Sequence, residues 1–405
     1  MEIRPISAAE LEPFLWTTES AFHEDVHPED LELFSELIEP ERTLAAFDGE
    51  QMVATTGIFT RELTVPGAVM RVAGVTLVGV LPTHRRRGLL TQLMRRQLDD
   101  VRAAGEPVAA RWASEAAIYA RFGYGFAARH AATTVSTAGA RVAPGVPAPG
   151  GRMTLMEPAA AVERIAPLYD RLRRQRVGHL GRTGVWWKRR TQDSERLRQG
   201  RGALRAAVHE DDGGTVDGYA LYGVKPGWES GPDGTVQVRE LIADGPGATA
   251  AMWSFLVGLD LTRRVEWQFS PPDEPLGELL ESPQLARVVI GPNLWIRLVD
   301  VPAALAARTY AAPVDVVLEV DDAFCPWNAA RYRLAAVDGR AACERTDAPP
   351  DIALSAADLG AAYLGGTRLA ALRDVGRVRE LRPGAVDRAS LAFGAVREPW
   401  CPEVF

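Results

Sequence analysis

The sequence has 405 residues, 47% of them hydrophobic and 24% charged, with a formal net charge of −7. This composition is typical of a globular protein with two or three domains, because one hydrophobic core rarely serves so long a chain. The negative charge argues against a nucleic-acid partner and is compatible with a cationic small substrate. We find neither a signal peptide nor an apolar stretch of about 18 residues, so we expect a cytoplasmic protein with no membrane partner.

Three cysteines, Cys325, Cys343 and Cys401, are scattered along the chain. Their number is odd and their spacing is not that of metal ligands, which fits a reducing cytoplasm. We therefore expect no metal.

Residues 1–142 carry the pattern of an α/β domain. Apolar residues alternate or cluster as in strands at 2–7, 43–47, 51–64, 68–80, 107–112 and 126–137, the last of which is expected to close the first sheet. Helical periodicity appears at 8–22 and 88–103, and a short helix follows Ser114, which is well placed as its N-cap.

The segment 75–90 carries the strongest functional signal. A buried strand leads into Arg85-Arg86-Arg87-Gly88, and a helix follows at once. This order directs free backbone N–H groups and a positive helix end toward one place, which suits phosphate oxygens. A solvated arginine turn is the alternative interpretation. The sequence has no P-loop and no dinucleotide-binding signature.

The same residues resemble motif A of the GNAT N-acetyltransferases, with Arg85-x-x-Gly88-x-Leu90 for the usual R/Q-x-x-G-x-G/A. A second stretch, 114–126, resembles the GNAT segment in which a short helix carries a tyrosine before an F-G-Y/F turn. Together, P-T-H-R-R-R-G-L-L and S-E-x-x-I-Y-x-R-F-G-Y-G resemble the Eis (enhanced intracellular survival) family of acetyltransferases, in which leucine is acceptable at position 90. The resemblance extends along the whole chain in length and order.

This resemblance implies acetyl-CoA as co-substrate and a set of residues that hold it. Backbone groups of Val78 and Val80 would bind the pantetheine. The remaining predicted coenzyme contacts are Arg85, Arg86, Gly88 and Leu89 at the pyrophosphate, and Ser114 and Ile118 on the other side.

Tyr119 is the predicted general acid for the leaving thiolate. A phenol has a reference pKa of about 10, so it stays protonated at neutral pH and can donate as charge develops on sulfur. Tyr124 is the competitor, but its position between Gly123 and Gly125 suits turn packing better.

For the base that takes the amine proton, the family implies the C-terminal carboxylate, here that of Phe405. A free α-carboxylate has a pKa of about 3.5, so burial or a water relay is needed to make it effective. His23, His27 and Glu24 remain alternatives. The tail 400–405 is rich in large apolar residues, and we expect it to dock on the protein rather than stay in solvent.

The segment 22–27 mixes aromatic and acidic residues and is either one wall of an amine pocket or an ordinary loop. By its distance from the N-terminus it resembles the acceptor-pocket segment of the Eis family. Phe22 then takes the aromatic position, and Glu24 or Asp25 the acidic one.

A linker rich in proline and glycine is predicted at 143–152, and residues 153–291 repeat the element order of the first domain. Where the first domain has its arginines, this one has Asp244-Gly245-Pro246-Gly247-Ala248. A carboxylate repels pyrophosphate, so we expect a GNAT-like domain that lacks a coenzyme loop. Trp186 and Trp187 either stack on nucleic acid or serve packing or subunit contacts. We favour the latter, with both indoles as exposed apolar candidates for contacts within a hexamer.

Residues 292–405 predict a third, α+β domain with an antiparallel sheet. The segment 294–299 begins this domain. Its strands are expected at 313–320, 330–337 and 340–345, and its helices at 356–364 and 384–393. In the Eis family this region resembles the sterol-carrier-protein fold.

The fold class is therefore α/β and α+β, with tandem GNAT-like domains followed by a sterol-carrier-protein-like domain. The leading hypothesis is an acetyl-CoA-dependent N-acetyltransferase of cationic amines, similar to aminoglycoside acetylation by the Eis family, that works in a ternary complex and as a homo-hexamer. A protein-lysine acetyltransferase, and a lipid or small-molecule carrier with a vestigial GNAT domain, are the alternatives.

Overall fold

The computed structural model describes residues 1–113, 115–147, 150–229 and 231–405. The strands of this part of the chain are β1 (Glu2–Arg4), β2 (Thr43–Asp48), β3 (Gln51–Val65), β4 (Ala68–Val80), β5 (Val108–Trp112), β6 (Gly125–Phe126), β7 (Arg129–Ser136), β8 (Arg152–Met156), β9 (Arg205–Glu210), β10 (Val216–Lys225), β11 (Gly234–Ala243), β12 (Thr262–Ser270), β13 (Ala286–Pro292), β14 (Leu294–Leu298), β15 (Val314–Asp321), β16 (Ala330–Val337), β17 (Arg340–Arg345), β18 (Ile352–Ser355) and β19 (Arg379–Glu380).

The α-helices of the same residues alternate with these strands. They are α1 (Leu11–Phe22), α2 (Pro28–Leu37), α3 (Leu89–Ala103), α4 (Ala116–Tyr119), α5 (Pro158–Arg173), α6 (Gly184–Thr191), α7 (Glu195–Arg198), α8 (Gly245–Val257), α9 (Leu276–Leu279), α10 (Val301–Ala306), α11 (Ala356–Ala362), α12 (Leu369–Asp374) and α13 (Ala385–Phe393). Helix α2 lies in a stretch where no helix or strand was predicted from the sequence. Pro28 at its first turn and the acidic Glu29 and Asp30 are the signals that could have found it.

The described strands form three sheets. Their orders are β1-β2-β3-β4-β5-β14-β6, β13-β7-β12-β11-β10-β9-β8 and β17-β16-β15-β18-β19. The first and third sheets belong to one compact unit, Met1–Ala128, Val177–Gly181 and Asn293–Phe405. The second sheet belongs to the other unit, Arg129–Arg176 and Arg182–Pro292.

Two strands lie in sheets other than the predicted ones. Strand β7 pairs with β12 and β13, so the prediction that 126–137 closes the first sheet was wrong for all but Phe126, which lies in β6. Strand β14, predicted to open the third domain, completes the first sheet by pairing antiparallel with β5. Alternating apolar residues decide which face of a strand is buried, but not which sheet edge receives it.

The domain boundaries at 142, 153 and 292 stay predictions.

Helix α3 covers one face of the first sheet. Its Met94, Leu98 and Val101 follow each other at helical spacing and pack against Val75 and Val78 of β4. This cluster of buried side chains anchors the helix that follows the arginine loop, so the start of the helix is held at a defined place beside β4.

Helix α11 brings the third sheet against the first within the same unit. A Cβ on Gly125 of β6 would lie 1.9 Å from the carbonyl oxygen of Ala357, and one on Gly360 would lie 2.3 Å from that of Ile296. Only glycine permits so close an approach of backbone to backbone.

In the third sheet, β15 pairs antiparallel with β16 but parallel with β18. The prediction of an antiparallel sheet was therefore wrong for the pair β15–β18.

In the second unit, Trp186 and Trp187 are 7% and 5% exposed. The ring of Trp187 meets Tyr169 edge-on at 5.5 Å, and the Arg182 guanidinium lies 4.6 Å from its centroid. Both indoles are therefore packing residues. The packing interpretation is confirmed, and the alternative, in which they are exposed for subunit contacts, was wrong. The helical spacing of α6 turns them toward the interior of the unit.

Candidate active site

Strands β4 and β5 diverge in the middle of the first sheet. Strand β4 pairs with β3 along its length, but with β5 only where Ala73 faces Ala109 and Gly74 faces Ala110. Beyond Gly74, in the part of the chain that the structure describes, β4 has no partner strand on this side. The divergence leaves a cleft along one strand, which an extended ligand can occupy by strand-like hydrogen bonding.

A β-bulge interrupts β4 inside this cleft. Thr76 faces Gly57 and Gly79 faces Thr55, so β4 has one residue more than β3 at this point, and Leu77 takes a positive φ of 52°. The Thr55 hydroxyl donates to the Leu77 carbonyl at 2.9 Å. A bulge bends its strand and re-aims the backbone groups that follow. The predicted pantetheine residues lie on this re-aimed segment, Val78 directly after the bulge and Val80 two residues later.

The loop after β4 leads into the positive end of α3. Gly88, at a φ of 78°, is the N-cap residue of this helix of 15 residues. The side chain of Leu89 is buried, so this residue can offer a ligand only its backbone N–H. The N–H groups of the first turn and the helix dipole together favour an anion here.

Three arginines surround this helix start, and all are exposed. Arg85 donates through Nε to the carbonyl of Val80 at 3.3 Å and through Nη2 to that of Ala21 at 2.9 Å. Arg87 donates to the carbonyl of Thr83 at 3.1 Å. Across the described ranges, none of the three pairs with a carboxylate, and Arg86 makes no hydrogen bond. Their positive charge is therefore uncompensated, which suits a phosphate ligand.

The end of α1 lies beside this loop. The Ala21 Cβ is 3.0 Å from the place where a Cβ on Gly79 would stand, and the Ala21 carbonyl accepts the hydrogen bond of Arg85. Phe22, which follows, is 45% exposed, and Glu24 and Asp25 are exposed as well. The structure thus brings the predicted acceptor segment next to the predicted coenzyme loop.

Tyr119 ends helix α4 and is 4% exposed. It belongs to the buried cluster that contains Val78 and Met94, and Ile118 packs partly buried against that cluster. Ser114, the other residue predicted on this side of the coenzyme, lies outside the described residues.

Burial raises the pKa of Tyr119 above its ordinary value, and the Arg111 guanidinium opposes this shift. The Arg111 Cζ lies 3.1 Å from the centroid of the Tyr119 ring. The phenol is thus protonated at neutral pH and lies against a cation, which is the state that a proton donor to an anionic leaving group requires.

Tyr124, the competitor, is fully buried, and its hydroxyl has no hydrogen-bond partner among the described residues. Its ring meets that of Tyr119 edge-on at 6.2 Å, and burial raises the pKa of its phenol. These contacts make it a core residue behind Tyr119. The assignment of the acid to Tyr119 stays a prediction.

The last six residues dock on the first unit, and all but Val404 are buried. The Asn293 side chain exchanges two hydrogen bonds of 2.9 Å with the backbone of Cys401. Glu403 forms a buried ion pair of 2.8 Å with Arg61 of β3. The tail is thus held by directed polar contacts as well as by apolar burial, and the expectation that it docks is confirmed.

The ring of Phe405 lies at the point where β4 and β5 separate. Its Cε2 is 3.3 Å from where a Cβ on Gly74 would stand. Ala73 and Val75, the neighbours of Gly74, both pack on the α3 side. Because side chains alternate along a strand, the tail approaches the cleft from the face opposite α3.

Sequence reasoning missed several residues of this region, notably Arg111, Arg61 and Asn293. Arg111 interrupts the short apolar strand Val108–Trp112, in which the other residues are buried or half-buried. A long cationic side chain inside a buried strand must find its contacts within the protein, and that is the signal that could have identified Arg111.

Within the described ranges, no three His, Cys, Asp or Glu side chains come together as metal ligands. No helix of the same residues is long and apolar enough to cross a membrane.

Family models match all three parts of the chain. Residues 2–127 and residues 178–298 each match an acetyltransferase (GNAT) domain, and residues 301–402 match a sterol carrier protein domain. The second of these ranges includes β14, which the structure places in the first sheet.

An uncharacterised N-acetyltransferase of Streptomyces coelicolor is 46% identical over 383 residues, which cover 93% of this chain and 92% of that protein. The N-acetyltransferase Eis of Mycobacterium tuberculosis is 34% identical over 392 residues, with the same two coverages. The crystal structure of Eis1 from Mycobacterium abscessus matches with a TM-score of 0.87 and 35% identity over 100% of both chains. The chain belongs to the Eis family of GNAT N-acetyltransferases.

Membership in the Eis family makes this protein an acetyltransferase with two GNAT domains and a sterol-carrier-protein-like domain. GNAT domains use acetyl-CoA, and the cleft along β4, the bulge and the basic helix start offer groups that suit an extended ligand with phosphates. The second GNAT domain lacks this loop. At its equivalent junction Asp244 forms an ion pair with Arg171.

Proposed function

We propose that this N-acetyltransferase moves the acetyl group of acetyl-CoA directly to an amine of a cationic, aminoglycoside-like small molecule while both substrates are bound. The observation that carries the proposal is the contact between Arg85 and Ala21. It sets the exposed aromatic and acidic residues Phe22, Glu24 and Asp25 beside the coenzyme loop. Carboxylates attract an ammonium group, and an aromatic face binds a cation.

In this proposal the backbone of Val78 and Val80 holds the pantetheine, and the start of α3 holds the pyrophosphate. Arg85 and Arg86 supply charge, and the N–H groups of Gly88 and Leu89 supply direction. Ile118 and Ser114 flank the other side of the coenzyme. Arg85 would keep its hydrogen bond to the Ala21 carbonyl and offer its remaining N–H groups to phosphate oxygens.

Tyr119 donates its phenolic proton to the thiolate as the bond between carbon and sulfur breaks. The α-carboxylate of Phe405 takes the proton that the acceptor ammonium must lose before its nitrogen can attack. The position of the Phe405 ring beside Gly74 supports this role, because it brings the end of the tail to the cleft. His23, His27 and Glu24 remain the alternative bases.

The proposal also includes a homo-hexamer that works in the cytoplasm, as the Eis resemblance implies. Sedimentation should then give a mass several times the 44.0 kDa of one chain. A 44.0 kDa species at micromolar concentration would contradict this part of the proposal.

The function is tested with purified protein, acetyl-CoA and a panel of amines, with release of free thiol as the readout. We expect turnover with cationic polyamines and aminoglycosides, and little with lysine peptides or neutral amines. Turnover with peptides alone would favour a protein-lysine acetyltransferase. Titration calorimetry with acetyl-CoA distinguishes an acetyltransferase from a lipid or small-molecule carrier, because a carrier with a vestigial GNAT domain should not bind acetyl-CoA.

A further inference from the structure

Arg111 stands in an unusual environment near the end of β5. It is 5% exposed, and its Nε donates to the carbonyl of Trp112 at 3.0 Å. Its Nη1 has no hydrogen-bond partner, and no carboxylate pairs with its charge among the described residues. A buried and unpaired guanidinium carries a large desolvation cost, so its retention calls for a physical reason.

The Arg111 guanidinium contacts the ring of Tyr119. The Arg111 Cζ lies 3.1 Å from the ring centroid, well inside the range of a cation–π contact. The other charged groups that act on this phenol, Glu115 and Arg121, belong to the same local segment and act more weakly. Arg111 is therefore the dominant charge next to the phenol.

We propose that Arg111 is a positioning residue for Tyr119, which holds the ring in place and stabilises the phenolate formed when Tyr119 protonates the leaving thiolate. This inference rests on the proposed function of Tyr119. In the step, the amine nitrogen forms its bond to the acetyl carbon and the bond between carbon and sulfur breaks. Sulfur takes the phenolic proton. The nitrogen loses one proton to the base before it attacks, and its second proton, lost as the amide forms, passes through water to the phenolate and restores the phenol.

Electrostatics explain why the cation helps. Burial by itself makes the phenol a weaker acid, because it disfavours the charged phenolate, and a guanidinium against the ring opposes that effect. The unpaired Nη1 leaves the charge of Arg111 available for the phenolate. The interaction is stronger in the transition state, where negative charge develops, than in the ground state, and that difference accelerates a reaction.

The test is a double-mutant cycle of Arg111→Leu and Tyr119→Phe in the full chain, with kcat and the Kd for acetyl-CoA as readouts. Arg111→Leu should lower kcat roughly tenfold, within the contribution of a general acid, and leave the Kd within about twofold. In the Tyr119→Phe background the same change should alter kcat by less than about twofold, because the two residues act as one unit.

Two further variants sharpen the comparison. Arg111→Lys, which keeps a cation, should recover part of the turnover lost in Arg111→Leu. Arg102→Leu is the matched control, since Arg102 also lies over an aromatic ring, that of Trp327 at 4.6 Å, and should leave kcat nearly unchanged. If Arg111→Leu does not fold, Arg111→Met takes its place in the cycle.

A loss of turnover that is equally large with and without the Tyr119 hydroxyl would overturn the inference, since Arg111 would then act through general packing. Unchanged kcat in Arg111→Leu would overturn it as well. If Tyr119→Phe has no effect by itself, the proposed acid fails first, and the inference fails with it. The single variants therefore tell the two failures apart.

Discussion

The Nη2 atom of Arg61 lies 2.8 Å from Oε2 of Glu403, and the two side chains are 1% and 7% exposed. The same nitrogen donates to the carbonyl of Gly181 at 2.9 Å. This pair joins a strand of the first sheet to the tail, two residues before Phe405. A buried ion pair has a defined geometry, so it fixes where the end of the tail lies relative to the cleft.

Removal of one partner should therefore lower both the free energy of unfolding and kcat. Arg61→Ala leaves Glu403 buried without its cation, and we expect a loss of about 3–5 kcal/mol in the free energy of unfolding. Denaturant titration measures this loss. Arg71→Ala is the control, because the Arg71 side chain is 65% exposed and its ion pair with Glu106 should be worth less than about 1 kcal/mol. Equal losses in the two variants would contradict the role given to Arg61.

Coenzyme affinity should depend on the arginine loop. Arg85→Ala and Arg86→Ala should each weaken acetyl-CoA binding by about 1–3 kcal/mol, the range for a charge-assisted hydrogen bond. Calorimetry gives the affinity directly. Arg96→Ala provides the comparison, since Arg96 lies farther along α3 in an exposed pair with Asp100 and should bind acetyl-CoA like the parent. Parental affinity in both loop variants would remove the loop from the coenzyme site.

Tyr119→Phe should lower kcat by about 10²-fold or more and leave acetyl-CoA affinity almost intact, because the hydroxyl acts mainly in the transition state. Burial raises the pKa of this phenol, so the parent enzyme should lose no activity through Tyr119 between about pH 7 and pH 9. Tyr124→Phe is the matched control in the same cluster. A large effect of Tyr124→Phe with none of Tyr119→Phe would reverse the assignment.

The tail itself can be altered without any change in the coenzyme loop. A few residues added after Phe405 would turn its carboxylate into an amide, and deletion of Phe405 would move the carboxylate by about 3.5 Å. Both changes should reduce kcat much more than acetyl-CoA affinity. Full activity of a C-terminally extended enzyme would return the role of base to His23, His27 or Glu24.

Local periodicity in the sequence was enough to predict the long helices α1 and α3 and most strands of the first and third sheets. The apolar spacing in α3 and the run of apolar residues in β4 are local patterns of the sequence, so they can be read without the fold. The proposed phosphate site could also be predicted from the sequence, because a site at a helix start is built from consecutive residues, here Arg85 to Leu89.

Only the tertiary structure decided what depends on residues far apart in the chain. Strand β7 joins the second sheet and β14 the first because of the sheet edge that each strand meets. The alternation of apolar residues carries no information about that edge. Arg111 stacks on Tyr119, and Arg61 pairs with Glu403, which lies more than 300 residues later in the chain. A buried charge needs a partner, and the tertiary structure determines which residues are near enough to provide one. The sequence does not show whether Trp186 and Trp187 are exposed or buried. In the structure both are buried, and Trp187 packs against Tyr169 and Arg182.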